Sequence, residues 1–91
     1  MAVTARVPPY WRKHTDRQAD VLVEGSTVGE VLEDLARRFP ELRERLFPAP
    51  GELAGNLSVF LNQESVVRRG GLQTPVSAGD RVTVILAIAG G

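Results

Sequence analysis

Only one stretch of this sequence carries a helical stripe long enough to cover a sheet, and that limits the fold more than any other feature. Val28, Val31, Leu32, Leu35 and Phe39 recur at i, i+3, i+4, i+7 and i+11, which places them on one face of an α-helix. Thr27 followed by Glu30 fits a capping box, in which each side chain satisfies a backbone N–H at the helix start. Pro40 ends or redirects the helix, and Glu41–Leu46 adds a further turn with Pro40 at its first position.

The runs around that helix have the other period. Ala2–Val7 alternates until Pro8-Pro9 stops it, the polar Arg12–Gln18 reads as a loop, and Ala19–Glu24 is a second β-branched run. The opening is therefore a hairpin with a long connection. Leu57–Asn62 sets Leu57, Val59 and Leu61 against Ser58, Phe60 and Asn62, Asn62-Gln63-Glu64 turns into a short strand at Ser65–Val67, and Arg81–Leu86 closes the pattern. One helix stripe over one apolar sheet face makes a two-layer α+β domain. The expected core pairs Val28, Val31, Leu32 and Leu35 with Val3, Val21, Val59 and Val84.

The chain has 91 residues, enough for one domain that buries roughly 60–65% of its unfolded surface. A deep substrate pocket would compete with the core for the same residues, which favours a carrier, adaptor or subunit over a self-sufficient catalyst. Eleven basic side chains balance eleven acidic ones, without the clustered basic excess by which nucleic-acid binders neutralise phosphates. There is no cysteine, which excludes disulfides, thiolate metal sites and a cysteine nucleophile; no metal site and no catalytic residue is expected. No apolar run approaches the ~20 residues that span a bilayer, and the opening Met-Ala-Val-Thr-Ala-Arg-Val alternates rather than forming a signal peptide. The cytoplasm is the simplest location.

The order of elements, the Thr-Val-Gly-Glu-Val-Leu helix start, Val-Phe-Leu-Asn-Gln-Glu, Gly-Asp-Arg-Val and the terminal Ala-Gly-Gly together resemble the ThiS/MoaD family of ubiquitin-like sulfur carriers. The resemblance spans the whole chain. Its length and its Val-Pro-Pro-Tyr-Trp-Arg-Lys-His-Thr loop are most similar to the cysteine-biosynthesis, or CysO-type, carriers. It departs from many relatives by having Ile85-Leu86-Ala87-Ile88-Ala89 where they place a proline before the tail. The resemblance implies a β-grasp with a mixed sheet of four to five strands, the first and last parallel in the middle, and one main helix on one face. It divides the chain into a domain at 1–86 and a tail at 87–91.

It also implies the chemistry. The Gly91 carboxyl is adenylated by an E1-like enzyme using ATP and Mg²⁺, and sulfur then displaces AMP to leave a thiocarboxylate. Ala87, Ile88, Ala89 and Gly90 form the tail that delivers it, and glycines without Cβ can thread a narrow channel. The protein is then a co-substrate rather than an enzyme, and its implied sulfur acceptor is a PLP-dependent cysteine synthase. Two alternatives stay open: a MoaD-type small subunit of molybdopterin synthase, and a ubiquitin-like modifier conjugated through Gly91.

Strand parity turns Phe60 and Ile85 away from the core, so the two form a candidate docking patch near the tail. The lone His14 lies in a polar loop and reads as a solvated residue. Trp11 either anchors a partner or closes its own loop on the core. Arg37-Arg38 and Arg68-Arg69 are solvated faces or steer an acidic partner, and Gly79-Asp80 is a turn into the last strand.

Overall fold

In the computed structural model, which describes residues 2–86, five strands form one sheet in the order β2-β1-β5-β3-β4. The strands are β1 (Ala2–Arg6), β2 (Asp20–Glu24), β3 (Leu57–Leu61), β4 (Glu64–Ser65) and β5 (Arg81–Leu86); helices α1 (Val28–Arg38) and α2 (Arg43–Leu46) accompany them. β1 and β5 run parallel at the centre, and the other neighbours are antiparallel. That is the β-grasp arrangement.

Helix α1 begins as its sequence dictates. The Thr27 side chain accepts the N–H of Glu30 at 3.2 Å. The Glu30 carboxylate reaches back one residue further than in the usual box and accepts the N–H of Ser26 at 2.8 Å. The chain passes so close here that a Cβ on Gly25 would lie 2.8 Å from the Val31 nitrogen. Val28, Val31, Leu32 and Leu35 are fully buried in one core with Val3, Val21, Val59 and Val84. Each such side chain contributes roughly 1.5–3 kcal/mol by leaving water. Phe39, last in the stripe, is only partly buried against that core. The turn expected after Pro40 is present as a short 3₁₀ segment running into α2, and it adds Leu42 and Leu46 to the core.

Two stretches differ from the sequence expectation. The run taken as a loop from Arg12 begins inside a 3₁₀ turn over Pro9–His14. Trp11 explains it: the turn drops this side chain into the core, where it is 3% exposed, so it closes its own loop. The strand expected at Ser65–Val67 ends at Ser65, and Val66–Arg68 forms a 3₁₀ turn. Topology demands this, because β5 lies between β1 and β3 and the chain must leave the sheet edge to reach it. The connection passes the start of α1, where Thr74 accepts the N–H of Val28 and Ser26 accepts the N–H of Val76.

The Gly79-Asp80 turn then aims β5. Gly79 has φ +88°, a left-handed conformation that glycine adopts without strain. Its N–H donates to Ala2, while the Asp80 carbonyl accepts from Thr4 at 3.0 Å. The Asp80 carboxylate accepts the N–H of Ser77 at 2.8 Å. One short turn therefore starts β5 alongside β1.

Candidate functional site

β5 is the central strand of the sheet, and its outer face carries Ile85, one of the two candidate docking residues, so that face frames the candidate site. Val82 and Val84 enter the core, and alternation turns Thr83 and Ile85 outward. On β3, Phe60 pairs with Thr83 and Ser58 with Ile85, which makes Phe60 and Ile85 diagonal neighbours on the solvent face. Ile85 is 45% exposed and Phe60 is half-buried. The two candidate docking residues are thus brought together. Ala87, Ile88, Ala89, Gly90 and Gly91 lie outside the described residues.

Tyr10 sits beside this face, and the sequence reading gave it no role. In Pro-Pro-Tyr-Trp only one of two adjacent aromatics can face the core, and Trp11 takes that place. Tyr10 is left 73% exposed. With Pro8, Pro9 and Arg12 it forms one wall of a groove of about 310 Å³ whose other wall is Thr83–Leu86. The missed signal was the aromatic pair in a turn that buries only its second member.

A second recess of about 340 Å³ lies beside α1, and several of its charged groups are committed to one another. Glu33 pairs with Arg43 at 2.7 Å. Asp34, 3% exposed, accepts the N–H of Glu24 at 2.9 Å and a guanidinium N–H of Arg38 at 2.8 Å, and it also pairs with Arg37. Burial by itself would raise the Asp34 pKa, but the Glu24 N–H and the Arg38 and Arg37 groups outweigh it and hold the carboxyl below its ordinary value. Arg37 and Arg38 are therefore tied to their own helix.

The remaining candidates are structural in their contacts. His14, expected to be solvated, is instead half-buried, its side chain 12% exposed with Nδ1 3.1 Å from the Glu41 carboxylate, and Arg69 pairs with Glu64. On the solvent face of the sheet the Asp20 carboxylate accepts from Arg6 at 3.1 Å and from Arg81 at 2.8 Å, tying β2, β1 and β5 together. Among the described residues no group of three metal-ligating side chains occurs, and no helix is long and apolar enough to cross a membrane.

A five-stranded mixed sheet grasping one main helix defines a ubiquitin-like β-grasp protein. The ThiS family model matches residues 9–91, and the chain belongs to that family. It is 39% identical to the sulfur carrier protein CysO of Mycobacterium tuberculosis over 93 aligned residues, covering the whole of both chains. The Amycolatopsis orientalis BexX/CysO complex contains a chain that superposes with a TM-score of 0.89 at 36% identity, covering 99% of this chain and all of that one. A third relative, small archaeal modifier protein 3 of Haloferax volcanii, is 34% identical over 90% of this chain and 78% of its own.

Proposed function

We propose that this protein is a sulfur carrier of the CysO type, a co-substrate for partner enzymes rather than a catalyst. The observation that carries this reading is the full-length match to a sulfur carrier, on a fold whose central strand leads directly into Ala87-Ile88-Ala89-Gly90-Gly91.

A carboxylate is a poor electrophile, so the Gly91 carboxyl needs activation. An E1-like enzyme holding ATP and Mg²⁺ transfers AMP to one carboxylate oxygen and releases pyrophosphate. Hydrosulfide then attacks the acyl carbon and expels AMP, leaving the thiocarboxylate. With no cysteine in the chain, sulfur has no side-chain thiol to rest on, and the Gly91 thiocarboxylate is its carrier. Domain 1–86 positions tail 87–91, with Phe60 and Ile85 as part of the docking face. The Amycolatopsis relative was crystallised in a complex, which supports a partner-docking mode of action. A PLP-dependent cysteine synthase is the proposed acceptor.

The Haloferax relative favours one second reading, a modifier conjugated through Gly91. Intact-mass analysis after incubation with an E1-like enzyme, ATP and a sulfide donor separates the two. A carrier gains the mass of one oxygen-to-sulfur exchange, whereas a modifier appears in high-mass adducts.

A further inference from the structure

The geometry points to the groove between Tyr10 and β5 as a docking site for an extended acidic-apolar segment of the activating partner, added to the sheet as a short strand. The identity of that occupant rests on the sulfur-carrier reading; the groove and its chemistry do not.

The groove exists because β1 ends early. Its pairing with β5 stops at Arg6 opposite Thr83, while β5 continues to Leu86. Thr4 donates to the Asp80 carbonyl, and Arg81 exchanges hydrogen bonds with Asn62 on the β3 side. Alternation from these two anchors turns the Val84 carbonyl and the Leu86 N–H toward the side that β1 has left. Pro8 stands where the next donor would be and has no N–H. Its carbonyl is taken by the N–H of Trp11 at 2.9 Å. Among the described residues nothing pairs with this end of β5 on the side that β1 has left, and an extended backbone can satisfy it by strand addition.

The walls specify the side chains of the added strand. Pro9, Tyr10, Ile85 and Leu86 offer apolar surface, suited to an aliphatic residue. Arg12 supplies the charge. Its Nε and one terminal nitrogen donate to the Val7 carbonyl, each at 3.3 Å, which fixes the guanidinium at the groove. Among the described residues no carboxylate pairs with it, whereas Arg6 on the same groove is already held by Asp20. A cation lacking a counter-charge beside an apolar slot fits an aliphatic residue flanked by Asp or Glu.

The test uses the full-length ¹⁵N-labelled protein and two terminally blocked peptides, Asp-Ile-Glu-Val-Asp and its lysine counterpart Lys-Ile-Lys-Val-Lys. The expected result is amide shift changes centred on Tyr10, Arg12 and Val84–Leu86, with the acidic peptide at least about threefold tighter than the basic one. Arg12→Gln should abolish that preference, and Tyr10→Ala should weaken both peptides while leaving the melting temperature nearly unchanged. In turnover with the activating enzyme, the same variants should raise KM with kcat preserved. Equal affinity for the two peptides, or shifts confined to other faces, overturns the proposal. So does binding that appears only after residues 87–91 are deleted, since the chain's own tail would then be the occupant. Thiocarboxylate formation is scored separately by mass, so loss of the groove and loss of the sulfur chemistry give different results.

Discussion

The buried carboxylate of Asp34 on α1 accepts the backbone N–H of Glu24 at the end of β2, 2.9 Å away. Helix and sheet edge are thereby joined by a hydrogen bond to a charge, and such bonds are stronger than neutral ones. Arg38 and Arg37 balance that charge, though the Arg37 side chain is 76% exposed and water screens its share.

Asp34→Asn keeps an acceptor for Glu24 and loses the charge, so it should cost about 1–3 kcal/mol at neutral pH. The folded carboxyl titrates below its ordinary 3.8. Its contribution is therefore complete above the unfolded-state value and is lost as pH falls through the lower, folded-state value. Urea unfolding of both proteins at neutral and strongly acidic pH checks this. The stability gap should be wide at neutral pH and close in acid.

Leu32 and Leu35 are fully buried, and Leu32→Ala or Leu35→Ala should cost roughly 2–5 kcal/mol. That is a large share of the ~5–15 kcal/mol that holds a small domain together. Because the stripe faces the core and not the proposed docking side, a variant assayed below its melting temperature should accept sulfur at a near-normal rate. A folded stripe variant that fails to be adenylated would put the partner surface on the helix side.

Ile85→Asp should weaken partner binding at least tenfold, about 1.4 kcal/mol. Ile85 is 45% exposed, so the stability loss should stay below about 1 kcal/mol. Calorimetric titration with the activating enzyme, alongside thermal unfolding, separates the two effects. A large drop in melting temperature with unchanged affinity would mean that Ile85 serves packing alone.

The fold was legible where period and burial agree. The α1 stripe and the alternation of β3 and β5 each had one apolar face, and each formed as its pattern requires. Phe60 and Ile85 met on the outer face for the same reason, since parity is fixed once the core face is known. Short-range pattern could not see what topology imposed. Val66-Val67 has the composition of a strand, yet the chain must turn there to bring β5 into the middle of the sheet. The parallel pairing of β1 with β5 came from the family resemblance and not from periodicity. Tyr10 was illegible because its exposure depends on Trp11 being buried, and two adjacent aromatics in a loop do not say which one faces in.

The most direct measurement is intact mass spectrometry of the protein and of two tail variants, one lacking Gly91 and one extended by a residue after it, each incubated with an E1-like enzyme, ATP and a sulfide donor. The three should share one fold by circular dichroism, because every strand and helix of the described fold lies within residues 2–86. Only the protein ending at Gly91 should gain the mass of an oxygen-to-sulfur exchange. If the extended variant is thiocarboxylated without first being trimmed back to Gly91, the Gly91 carboxyl is not where this protein carries sulfur.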